Sequence, residues 1–217
     1  MALRAVVFDY GMVLTDGQGT AAHAELMRIT GLGYERFESS YWADRHAYDL
    51  GQLTGLAFWQ KFVRVNSLGE RLGAEEIDQL NLWDARMWTT ENPRMLDWQL
   101  QLKQQGLLTG ILSNMGDNVL ENMRREFAWL SRFDALVWSY ELGLAKPDPA
   151  IYLYILEKLG SRPEETLFLD DRQENIDAAQ ALGMAALLFT TVEQLRDDLI
   201  STGLQAELPL PSLLKAE

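Results

Sequence analysis

At 217 residues the chain has room for one substantial core and one smaller appended unit, but not for two full-size domains. A hydrophobic fraction of 47% and a charged fraction of 24% are those of an ordinary globular protein and argue against disordered, collagenous and membrane classes. With 19 Lys+Arg against 32 Asp+Glu the formal net charge is −13, which opposes binding to nucleic acid or to an anionic membrane surface, and the lack of cysteine excludes disulfides, thiol catalysis and cysteine-held zinc.

The apolar run before Asp9 is too short for a signal peptide, and no run approaches the ~18 residues of a membrane-spanning helix, so a cytoplasmic location is expected. Two histidines, His23 and His46, are too few for most zinc sites. Ala5–Phe8 reads as a short buried strand ending at Asp9. From about Thr15 to Trp88 no strand is predicted, only helical patches at 21–30, 34–41, 56–65 and 74–87. A small all-helical cap at 15–88, inserted after the first strand, is the expectation, with Tyr41, Trp42, Tyr48, Phe58 and Trp59 packing mostly into its own core. Strands and helices then alternate: helix 93–105, strand 107–112, helix 118–129 with Asp117 as N-cap, strand 135–138, helix 149–159 ended by Gly160, strand 166–169, helix 173–182 ended by Gly183, strand 185–189 and helix 192–200. The alternation predicts an α/β fold, a doubly wound parallel sheet built from 1–14 and 89–217 and covered on both faces. After Gly203 the Leu-Pro-Leu-Pro stretch reads as an irregular surface segment.

In such a sheet ligands bind at the carboxyl ends of the strands, so polar residues just beyond apolar runs are the candidates for chemistry. Four places qualify: Asp9, Ser113-Asn114, Lys146 and Asp170-Asp171. Each has a plainer reading alone: Asp9 as a turn residue, Ser113 with Asp117 or the acidic pair as helix caps, Lys146 as a solvated loop cation. Together they supply a carboxylate, a hydroxyl with an amide, a cation and a carboxylate pair, a set suited to holding a phosphate and a divalent cation.

In order and spacing, Phe8-Asp9-Tyr10-Gly11-Met12-Val13-Leu14, Leu112-Ser113-Asn114, Lys146-Pro147-Asp148-Pro149 and Phe168-Leu169-Asp170-Asp171 with Asn175 resemble the four motifs of the haloacid dehalogenase-like hydrolase superfamily over nearly the whole chain. The stretch Tyr48-Asp49-Leu50-Gly51-Gln52-Leu53-Thr54 with Phe58-Trp59 is similar to the short helical cap of the branch that includes α-glucose-1-phosphate phosphatase and the phosphatase domain of soluble epoxide hydrolase. The resemblance implies a Mg²⁺-dependent phosphatase of a small phosphorylated metabolite, with a sugar phosphate among the candidates, acting as a monomer or homodimer. Asp9 is then the nucleophile that forms an aspartyl-phosphate, ionised without help from a base at an ordinary carboxylate pKa of ~3.9. Ser113, the Asn114 amide and Lys146 bind the phosphoryl group, Asp9, the Gly11 carbonyl and Asp171 hold the metal, and Asp170 and Asn175 support them from behind. Arg45 and His46 in the cap are the candidates to meet the substrate.

The pattern departs from the family at one position, since Gly11 stands where an acid-base Asp is usual. If the cap supplies the missing proton, His46 is its candidate source; otherwise the leaving group departs without one. Two rivals follow. A metal-independent 2-haloacid dehalogenase would share Asp9 and use Arg45 for the substrate carboxylate, but that group carries Ser and Asn in place of Asp170-Asp171. A phosphate-binding regulatory protein would keep the site and lose turnover through Gly11.

Overall fold

Strand β1 (Ala5–Phe8) is buried along its whole length and sends alternate side chains into two separate apolar clusters. Val6 and Phe8 join Trp98, Leu102, Met123 and Leu195 on one face, while Ala5 and Val7 join Ile151, Ile155, Ile176 and Ala179 on the other. A strand that is apolar on both faces belongs inside a parallel sheet covered by two layers of helices, and the computed structural model, which describes residues 2–16 and 21–213, places it there.

After β1 come β2 (Thr15–Asp16), α1 (Ala21–Thr30), α2 (Tyr34–Ala43), α3 (Arg45–Asp49), α4 (Gly55–Val65), α5 (Ala74–Met87) and β3 (Thr90–Glu91). The remainder runs α6 (Pro93–Gln104), β4 (Leu108–Ser113), α7 (Asp117–Glu126), β5 (Ala135–Trp138), α8 (Ser139–Leu142), α9 (Pro149–Leu159), β6 (Thr166–Asp170), α10 (Gln173–Ala181), β7 (Ala185–Leu188) and α11 (Val192–Ser201). The five strands of the main sheet pair in parallel in the order β5-β4-β1-β6-β7, so β1 is central. This is the doubly wound α/β sheet the alternation predicts.

Helix α9 shows how local sequence sets these boundaries. Asp148 accepts a hydrogen bond from the Ala150 N–H at 2.9 Å, Pro149 occupies the first turn, and Gly160 closes the helix in the left-handed region at φ 60°.

Several details differ from the sequence expectation. Thr15–Asp16 does form a strand, pairing antiparallel with Thr90–Glu91, so a two-residue ribbon brackets the helical segment. Strands this short carry no readable alternation, and the pair is held from outside by Asn92, whose N–H donates to the Leu14 carbonyl at 2.8 Å. Helix α7 starts at Asp117 itself with Gly116 as N-cap, because the Asp117 carboxylate accepts from the Gly55 N–H at 2.8 Å as well as from Asn118 at 2.7 Å. The Leu-Pro-Leu-Pro stretch is irregular but docked, with Leu208 buried and the Trp98 indole donating to the Pro209 carbonyl at 2.6 Å. Residue 1, residues 17–20 and residues 214–217 of the predicted units lie outside the described residues. No helix among the described residues is long and apolar enough to cross a membrane.

Candidate active site

The register of the sheet brings the candidate residues to one edge. Phe8 of β1 lies opposite Ile111 of β4 on one side and Leu169 of β6 on the other. Asp9, Ser113 and Asp170 therefore leave three adjacent strands within a residue or two of the same level, at strand spacings of about 4.8 Å. Lys146 reaches this edge from the loop after α8, and Asn114 fixes that loop: its side-chain oxygen accepts from the Lys146 N–H at 2.8 Å and its amide donates to the Lys146 carbonyl at 2.9 Å. The sequence suggests only a backbone role for Asn114, and no local pattern announces this two-point clasp by its side chain.

Lys146 is buried, with its ammonium 2.9 Å from Asp9 and 2.5 Å from Asp170. Burial pulls its pKa down, but Asp170 and Asp9 overcome that and hold it above the ordinary lysine value. Asp170 is fully engaged: its second oxygen accepts from the Asn175 amide and from the Arg172 N–H, both at 2.9 Å. Asp9 is pushed up to about 7, first by burial, against the pull of Lys146, and further by Asp170 and Asp171. Its ionisation at neutral pH therefore depends on its neighbours, unlike the ordinary carboxylate expected from sequence. Asp171 is exposed, and its pKa is raised by partial desolvation and by Asp170.

Carboxylate oxygens of Asp9, Asp170 and Asp171 lie within 4.8 Å of one another. Three carboxylates against one ammonium leave a formal −2 when all are ionised, and the donors are hard oxygens, so the residues fit a small divalent cation such as Mg²⁺.

Residues 3–183 match a family model described as haloacid dehalogenase-like hydrolase. The chain belongs to this family. It is 31% identical to Phosphatase MT3486 of Mycobacterium tuberculosis over 92% of this chain and 93% of that one. It is 36% identical over 127 residues to Bifunctional epoxide hydrolase 2 of Mus musculus, of whose length the match spans 23%. Among solved structures it resembles a haloacid dehalogenase-family enzyme of Bacteroides thetaiotaomicron in complex with magnesium and inorganic phosphate, with TM-score 0.71 and 22% identity over 87% of this chain and 94% of that one. It also resembles an L-2-haloacid dehalogenase of Xanthobacter autotrophicus with chloropropionic acid covalently bound, with TM-score 0.66 and 19% identity over 99% and 92%.

In this family member the candidate residues share a cleft of about 580 Å³. Asp9, Gly11, Ser113, Asn114, Lys146, Asp171 and Asn175 line its sheet side, and Arg45 and His46 face it from the helical segment; Asp170 lies beneath, on Lys146. His46 is exposed at the cleft, and Arg45 lines it from a buried position. Its side chain is buried, 3.1 Å from Asp49 and 3.3 Å from Asp84, and donates to the Tyr41 hydroxyl. These contacts engage Nε and Nη1 of the guanidinium and fix its place in the wall of the cleft. Tyr41, Tyr48, Phe58 and Trp59 form the core of the helical segment as expected, but Trp42 is 39% exposed and lines the cleft. Trp88 and Met12 line it too, and neither carried a signal in the sequence.

Proposed function

We propose that this hydrolase is a Mg²⁺-dependent phosphatase of a small phosphorylated metabolite, with a sugar phosphate among the candidates, acting through an aspartyl-phosphate on Asp9. One observation carries the reading: a nucleophilic carboxylate held 2.9 Å from a buried ammonium, in a cluster with two more carboxylates that leaves charge for one divalent cation. The Asp9 carboxylate attacks phosphorus, the bond to the leaving oxygen breaks with its electron pair on that oxygen, and water later hydrolyses the acyl phosphate. Lys146 offsets the charge of Asp9 and of the incoming phosphoryl group, while the Ser113 hydroxyl and the Asn114 N–H receive phosphoryl oxygens. Asp170, held by Asn175 and the Arg172 N–H, keeps Lys146 aimed at Asp9. Mg²⁺, when bound by Asp9, Asp171 and the Gly11 carbonyl, supplies the charge neutralisation that lets two anions meet. Residues 15–88 act as the cap, and the protein works as a monomer or homodimer in the cytoplasm.

Two features weigh against the dehalogenase rival: the Asp170-Asp171 pair, and an Arg45 already paired with Asp49 and Asp84. The test is hydrolysis of p-nitrophenyl phosphate and release of chloride from 2-chloropropionate, each with Mg²⁺ and with EDTA. Phosphatase activity restricted to Mg²⁺ supports the reading. Halide release that survives EDTA establishes the dehalogenase, and phosphate binding without turnover of any ester the regulatory protein.

A further inference from the structure

A second cavity, of about 650 Å³, shares no lining residue with the cleft at the sheet edge. It lies where α5 of the helical segment packs on α7 of the sheet layer, with the amino end of α1 at Ala21 and Ala22 on a third side. The volume is that of a pocket for a small organic molecule. Its polar groups are not spent on one another. Arg86 is exposed, pairs with no carboxylate among the described residues, and lies over the Trp83 ring at 4.8 Å from the centroid. In a chain of net charge −13, an arginine left without a counter-ion and braced against an indole keeps its N–H groups for whatever enters. Asn122 is 7% exposed; its side-chain oxygen accepts from Arg125 at 2.5 Å, while its NH₂ group finds no acceptor among the described residues. The two carboxylates that line the cavity are already engaged, Glu91 by the Trp129 indole N–H at 2.6 Å and Glu126 by Arg125 at 3.3 Å. No acidic residue occupies the first turn of α1, so the positive end of its dipole adds to the same field. Leu82, Trp83 and Phe127 make the rest of the wall apolar.

We propose that this cavity binds a small amphipathic organic anion, whose acidic head is held by Arg86 and the Asn122 amide and whose hydrocarbon body lies against Leu82, Trp83 and Phe127. A guanidinium edge and a carboxamide N–H₂ together offer several donors and no acceptor, which suits the oxygens of a carboxylate or of a phosphate-type group and rejects a neutral or cationic head. Because Arg86 stands on α5 and Asn122 on α7, the occupant joins the helical segment to the sheet layer and stabilises their packing. Binding at this site is independent of the phosphatase reading, since the catalytic candidates line the other cleft.

The test is titration calorimetry on the full-length protein in EDTA with four probes of one chain length: hexanoate, hexylphosphonate, hexylammonium and 1-hexanol. At least one of the two anions should bind at one site per chain with Kd of about 1 mM or tighter, ordinary for a ligand of this size, and should raise Tm at saturation. The alcohol and the ammonium should bind at least about tenfold more weakly, because the charge-assisted hydrogen bonds are lost. A preference for hexanoate identifies a carboxylate ligand, and one for hexylphosphonate a phosphate-type ligand. Arg86→Ala should weaken the anion about tenfold or more and Arg86→Glu should abolish its binding, with the Tm of the unliganded protein almost unchanged at this exposed position. Anion binding that survives Arg86→Glu overturns the proposal by placing the ligand elsewhere, the catalytic cleft included. Equal affinity for 1-hexanol overturns it by reducing the cavity to an apolar surface. If neither anion binds at 10 mM the proposal also falls, and a dimer broken by Arg86→Glu would then give the cavity to a second copy of the chain.

Discussion

Burying Asp9 beside two further carboxylates makes its proton the quantity that pH controls. Its folded-state pKa of about 7 stands above the 3.8 of an unperturbed carboxyl, so the folded state binds the proton more tightly than the unfolded one. The stability from this group is fully present below about 3.8 and is lost as pH rises through about 7. In EDTA, Tm should therefore drift down across that window, and Asp9→Asn should remove part of the drift while abolishing turnover, as melting curves and p-nitrophenyl phosphate assays can check. A cation favours the ionised carboxylate, so raising Mg²⁺ should move the acid limb of the kcat/KM profile to lower pH; a limb that stays in place counts against Asp9 as a metal ligand. The acidic pair should divide by burial. Asp171→Ala should weaken Mg²⁺ binding by about tenfold or more through loss of a hard oxygen donor, with stability changed by no more than about 0.5 kcal/mol at this exposed position. Asp170→Ala should instead cost about 3 kcal/mol, because Lys146, its side chain 1% exposed, loses one of its two partners. Titration calorimetry and denaturant unfolding of both variants would separate the two roles.

Among the elements, α3 and the loop entering α7 decide how the helical segment meets the sheet. The Ser139 hydroxyl donates to the Asp49 carbonyl at 2.6 Å and accepts from the Met115 N–H at 3.0 Å, which ties α3 to the loop that carries Asn114 and follows Ser113. Tyr48 packs against Gly116, so that a Cβ on Gly116 would fall 2.0 Å from the ring. Tyr48 is fully buried and cannot swing away, so Gly116→Ala should cost about 1–3 kcal/mol by overpacking, lowering Tm by roughly 2–4 °C per kcal/mol. It should also raise KM, since the wall of the cleft shifts with α3. A variant with unchanged Tm and KM would show that this contact is soft.

For the molecule as a whole, the net charge of −13 means that the phosphorylated substrate proposed above would approach a repelling field and meet local positive charge at the sheet edge where Lys146 sits. Screening this repulsion by raising NaCl from about 10 to 150 mM, which shortens the Debye length from ~30 to ~8 Å, should raise kcat/KM for an anionic substrate at fixed free Mg²⁺. A decrease would mean that local attraction outweighs the global field even at long range. The same long-range view separates what was legible in the chain from what was not. The alternating apolar runs, the glycine and proline stops and the polar residues after Phe8, Leu112 and Leu169 determined the parallel sheet and its polar edge, because strand burial and strand ends are encoded by neighbours in sequence. The elevated pKa of Asp9, the Asn114 clasp on Lys146 and the capture of Arg45 by Asp49 and Asp84 were decided only in the tertiary structure. Each depends on desolvation or contact between residues from separate elements, and those distances are set by how helices pack on the sheet, which no local pattern of residues specifies.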